Sequence, residues 1–145
     1  MVAVAKQDRA VERTGSPFAA NLWAGALKKA VSGKPVVVKL EDLSRLAAEF
    51  SAEEIDRLVI PKRTLARRKA RGEMLSADEA DRALRLARIG AEANRVFGNP
   101  EKARRWLRKP AAAFHGRTPL DLLENEAGAR AVDELLVQID HGMFA

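Results

Sequence analysis

Cysteine and tyrosine are both missing from the 145 residues. Without cysteine there is no disulfide framework, no thiolate nucleophile and no cysteine-based zinc or iron–sulfur site. Histidine is scarce: His115 and His141 stand alone in unrelated stretches, which leaves a His-rich metal site without ligands. The expectation is a protein with no metal and no cofactor. No apolar run approaches the roughly 18 residues of a membrane span, so no membrane partner is expected. In the opening MVAVAKQDRAVERTG, charges break every apolar stretch, unlike the apolar segment of a secretory signal. These absences point to the cytoplasm.

What is present suffices for one modest core, or two small ones sharing an interface: 47% of the residues are apolar and 32% charged. Lysine and arginine number 26 against 20 acids, a formal charge of +6. The excess is local. Residues 62–71, KRTLARRKAR, hold six cations and no acid, while the chain from Pro100 onward carries seven charges of each sign. A concentrated basic segment reads as a docking element for nucleic acid. The plainer reading is a solvated helix face, but that normally comes with interspersed acids, which this segment lacks.

Along the chain the pattern is helical. Residues 1–16 are polar, Ala-rich and end in TGS, as a mobile arm or frayed helix would. From Pro17, apolar positions Phe18, Leu22, Ala26 or Leu27, and Val31 recur at helical steps until Ser32-Gly33-Lys34-Pro35. VVVKL at 36–40 is the one strand-like run and has no partner of similar composition, so an extended linker or lone edge strand is expected. LEDLSRLAAEF follows as a helix. Ser51 and Glu54 form a capping box for SAEEIDRLV, with Ile55, Leu58 and Val59 inward. Ile60-Pro61 ends that helix and Pro61 opens PKRTLARRKARG, which stops at Gly72. Two short helices joined by a tight turn, the second loaded with cations, make a helix-turn-helix. Leu65 and Ala66 are expected inward, with Arg63, Thr64, Arg67, Arg68 and Arg71 on the outward arc.

A second box, Ser76 to Glu79, starts the longest helix, about 77–97, with a stripe of Ala80, Leu84, Ala87, Ala91, Val96 and Phe97, widened by Leu86, Ile89 and Ala93. Asn99-Pro100 caps PEKARRWLRK, Thr118-Pro119 repeats the device before PLDLLEN, and Gly128 precedes a last helix burying Val132, Leu135, Leu136 and Ile139. The fold class is all-α. Trp106 reads as core and His115 as a solvated loop residue. Asp121, Glu124 and Glu126 could pose as paired carboxylates, but with no nucleophile or metal set they read as helix-end charge compensation. An enzyme is not expected. Past Gly142, the apolar Met143 and Phe144 either fold back or enter a partner.

From Phe97 the chain reads FG-x2-E-x-A-x2-WL-x2-P-x3-F-x-G-x-TPLDLL-x4-G-x3-V-x-ELL-x-QID-x-G-x-FA. This resembles the toxin-binding domain of the Xre/ParS-type antitoxins, partners of RES-domain toxins. Upstream, IPKRTLARRKARGEMLSADEADRALRLARI is similar to their helix-turn-helix. The resemblance covers residues 40–145 and divides the chain into 1–38, of unassigned role, 39–97, a DNA-binding region, and 98–145, a toxin-binding region.

The resemblance implies two partners: operator DNA, bound to repress the antitoxin's own operon, and an NAD⁺-degrading RES toxin, inhibited by occlusion of its active site. On this reading Lys62, Arg63, Thr64, Arg67, Arg68, Lys69 and Arg71 contact double-stranded DNA, and His141, Gly142, Met143, Phe144 and Ala145 contact the toxin. The protein would be nucleoid-associated when operator-bound. A homodimer is expected, because operators present two half-sites about one turn apart. The competing function is a stand-alone repressor whose C-terminal bundle only dimerises.

Overall fold

Hydrogen-bonded caps fix where most helices begin, and each is written in the sequence. In the computed structural model, which describes residues 17–143, the Ser51 hydroxyl accepts from the Glu54 N–H at 3.1 Å while the Glu54 carboxylate accepts from the Ser51 N–H at 2.9 Å. Ser76 and Glu79 repeat this reciprocal pair at 3.2 and 2.8 Å. Asn99 accepts from two N–H groups ahead of Pro100, and Asn125 accepts from the Gly128 N–H. These bonds satisfy N–H groups that a helix start otherwise leaves bare.

The resulting order is α1 (Pro17–Val31), α2 (Leu40–Leu46), α3 (Ala52–Leu58), α4 (Lys62–Arg71), α5 (Ala77–Phe97), α6 (Pro100–Leu107), 3₁₀ turns at Ala112–Phe114 and Leu120–Glu124, and α7 (Glu126–Asp140). The protein is all-helical, and among the described residues there is no strand: 34–39 run as an extended linker with Val38 buried. The arm expected over 1–16 lies outside the described residues.

Helix α5 is the axis of the fold, with α1, α3, α6 and α7 packed around it. Its buried residues are Glu79, Ala83, Leu86, Ala87, Ile89, Gly90 and Ala93. This corrects the expected stripe: Ala80, Leu84, Val96 and Phe97 are only partly buried, and the helix is covered on more than one side. Small residues make that possible. At Gly90 a Cβ would stand 3.0 Å from the Phe50 ring, so the missing side chain lets the ring lie against the helix.

Helix α7 corrects a second expectation. Gly128 does not precede it but lies within its first turn, where a Cβ would fall 1.9 Å from the Leu122 carbonyl oxygen. Its role is close approach of two backbones. Val132, Leu135 and Leu136 are buried and Ile139 packs against them, as expected. Leu27 and Val31 of α1, in contrast, are largely exposed, and Ala19 and Ala26 supply the buried face. Trp106 is half-buried, its ring 5.5 Å from that of Phe97.

Candidate functional site

Helices α3 and α4 are joined by Val59-Ile60-Pro61, and the turn is anchored from below. Val59 and Ile60 are buried, and the Val59 carbonyl accepts from Arg82 of α5 at 2.8 Å. Pro61 occupies the position before α4, where the missing N–H costs nothing, and the Lys62 N–H donates to Asp56 at 2.6 Å. Helix α4 therefore starts at a fixed place and angle. None of its residues is fully buried.

The six cations of α4 do not share one role. Arg63, Arg67 and Lys69 are exposed and, among the described residues, have no acidic partner. Lys62 reaches Glu53 at 3.3 Å, and Arg71 lies 3.8 Å from Glu73, both on the surface. Arg68 departs from the outward arc expected of it. Its Nε lies 2.8 Å from Glu79 Oε1, one Nη donates to Glu79 Oε2 at 3.0 Å, and the other donates to Glu73 at 3.1 Å. Glu79 is 5% exposed. Burial works against its charge, yet the hydrogen bond from Arg68 and that from the Ser76 N–H hold its carboxyl below the ordinary value. Arg68 thus ties α4 to the first turn of α5. Ala66 is exposed and Leu65 half-buried, so Leu65 alone of that pair faces inward.

The second region is the end of α7. The Met143 N–H donates to the Gln138 carbonyl and the Gly142 N–H to that of Ile139, with Gly142 at φ 68°. This is a Schellman stop, and it needs a residue tolerant of left-handed backbone at Gly142. It leaves His141 exposed at the cap and Met143 70% exposed. Phe144 and Ala145 lie outside the described residues. Val137, one turn back, is also exposed.

Ion pairs tie the helix-turn-helix to the segments between α6 and α7. Arg57 of α3 donates to Asp121 at 2.7 Å, and Arg108 after α6 grips Glu54 of α3 at 2.7 and 2.9 Å. Asp121 also accepts from the Thr118 N–H, and the Thr118 hydroxyl accepts in return, so this carboxylate is structural. Glu126 is held below its ordinary value: burial opposes the charge, but Arg88 and Arg85 outweigh it. The sequence pattern missed these partners, because pairs far apart in the chain leave no periodic trace.

Among the described residues no three His, Cys, Asp or Glu side chains gather as a metal site would require. None of the described helices is long and apolar enough to cross a membrane.

Comparison with known proteins gives two family matches. Residues 24–88 match the family model for the antitoxin Xre-like helix-turn-helix domain, and residues 92–142 match that for the antitoxin Xre/MbcA/ParS C-terminal toxin-binding domain. An Antitoxin Xre of Pseudomonas putida is 46% identical over 84 residues, 58% of this chain and 53% of that protein, so the chain spans about half the length of this relative. A Sphingobium protein named Prs ADP-ribosylating antitoxin is 29% identical over 133 residues, 83% of this chain and 79% of that one. An Antitoxin Xre of Yersinia enterocolitica is 34% identical over 110 residues, 74% of each chain. With that coverage, and with the helix-turn-helix segment preceding the toxin-binding segment, this chain belongs to the Xre antitoxin family.

Proposed function

We propose that this protein neutralises a cognate RES-domain, NAD⁺-degrading toxin by blocking its active site with His141 to Ala145, and represses its own operon by binding operator DNA through α4. The observation that carries this reading is the separation of two unlike surfaces on one body. Arg63, Arg67 and Lys69, cations with no acidic partner among the described residues, stand on a helix-turn-helix, and the apolar Met143 is exposed after the end of α7. We assign operator recognition to 39–97 and the toxin contact to 98–145, and leave 1–38 without an assigned role. The Sphingobium relative's name carries ADP-ribosylation, a chemistry that, like the toxin activity proposed here, consumes NAD⁺.

On this proposal the protein acts in the cytoplasm, at the nucleoid when operator-bound, and needs no catalytic group of its own. It works as a homodimer. Exposed Leu27 and Val31 favour α1 as the dimer contact over α5, which is largely covered. The test is purification with the RES-domain protein encoded beside its gene, followed by an NAD⁺ turnover assay. A stoichiometric complex that suppresses turnover and retards upstream DNA is expected. DNA binding without toxin capture would instead make the protein a stand-alone repressor.

A further inference from the structure

We infer that a second DNA-binding surface lies on α6 and the residues that follow it, a phosphate clamp formed by Arg105 and Lys109; this rests on the DNA-binding part of the function proposed above. The segment PEKARRWLRKP carries five cations and one acid. Ala103 and Leu107 are buried and Trp106 half-buried, so the helix turns its cations outward. Lys102, Arg105 and Lys109 are exposed and have no ion-pair partner among the described residues, while Arg104 lies only loosely on Glu101 at 3.7 Å. A concavity of about 540 Å³ is lined by Glu101, Arg104, Arg105, Arg108, Lys109 and Pro110. Four cations crowd round one acid there, and mutual repulsion is relieved when an anion enters.

Position identifies the anion. Arg108 is locked to Glu54, in the first turn of α3, and also donates to the Glu49 carbonyl at 3.2 Å. The neighbouring Glu53 takes Lys62, the first residue of α4. The concavity and the start of the basic helix α4 therefore converge on one turn of α3, and each of the two acids there already faces a cation. In a helix-turn-helix the first helix crosses the DNA backbone while the second enters the major groove. Cations beside the start of α3 then meet phosphates, which fix register without reading sequence.

The test uses the full-length protein, a duplex from upstream of its own gene and a scrambled duplex of equal length, with affinity measured across salt concentrations. Arg105→Ala with Lys109→Ala should weaken both duplexes by the same factor and flatten the log–log salt slope by about 1.8 per protomer, at about 0.9 per lost contact. Fourfold salt dilution would then restore roughly tenfold less affinity than in the wild type. Arg105→Lys should keep the slope, and both residues are exposed, so the melting temperature should hold. Arg63→Ala with Arg67→Ala should discriminate against the upstream duplex. An unchanged slope in the α6 variant, beside lost binding in the α4 variant, overturns the clamp and leaves the helix-turn-helix function standing. Lost toxin capture with DNA binding intact gives this surface to the toxin instead and also overturns it. Absence of DNA binding by the wild type overturns both.

Discussion

Asp121 accepts from Arg57 and then from the Thr118 N–H, and these two bonds, against some burial, bring its carboxyl from 3.8 to about 2. Because the folded value is depressed, this stabilisation is present above pH 3.8 and is lost as pH falls towards 2. Asp121→Asn should therefore lower the melting temperature at pH 7, with the gap from the wild type closing near pH 2. Asp133 carries the opposite sign. Burial raises its carboxyl; Arg88 at 3.2 Å opposes this, and the repulsion of Glu92 and Glu126 adds to it. Its ionised form is thus less welcome in the folded state, a penalty absent below pH 3.8 and present at neutral pH. Asp133→Asn should raise the melting temperature at pH 7 and leave it unchanged at low pH. Calorimetric scans of both variants between pH 2 and 7 check the pair, and a fall in both at neutral pH would show that Arg88 satisfies Asp133 fully.

At the scale of elements, α4 joins two kinds of arginine in one helix. Arg68→Ala should lower the melting temperature, because it strands the buried Glu79 carboxylate, and should weaken DNA binding only as the helix loosens. Arg63→Ala with Arg67→Ala should leave the melting temperature alone and flatten the salt slope of DNA binding. Thermal melts and salt titrations of the two variants separate anchor from contact. The junction of α7 with the Leu120–Glu124 turn is equally specific. At Gly128 the added methyl of Gly128→Ala meets a backbone carbonyl that cannot swing away, so a loss of about 3 kcal/mol in urea denaturation is expected.

These elements also show what a sequence pattern carries. Caps were legible at Ser51, Ser76, Asn99 and Thr118 because a cap is a local bond between residues two or three apart. The basic helix and its turn were legible for the same reason. The buried face of α5 was legible only in part, at Leu86, Ala87, Ile89 and Ala93, because a helix covered on several sides by small residues has no single stripe to read. Gly128 read as punctuation, since nothing in its neighbours announces the Leu122 carbonyl above it. Arg68 read as a DNA contact until Glu79, eleven positions on, was seen to face it.

Across the whole molecule, α5 separates the two proposed surfaces. Glu79 near its start holds the basic helix through Arg68, and Arg95 near its end pairs with Asp140, just before the terminal stop of α7. Sixteen residues at 1.5 Å each set these attachment points about 24 Å apart, enough for DNA and toxin to be engaged at once. Val132, Leu135 and Leu136 are buried ahead of the stop at Gly142, and Met143 after it is exposed. Deleting residues 143–145 should therefore leave the melting temperature and upstream DNA binding intact while releasing NAD⁺ degradation by the toxin. Phe144→Ala should act in the same direction: an aromatic anchor at the centre of an interface is worth about 2 kcal/mol or more, roughly thirtyfold in affinity. Full inhibition by the truncated chain would move the toxin contact to the outer face of α7, around the exposed Val137. Loss of stability, DNA binding and inhibition together would show that the tail belongs to the core.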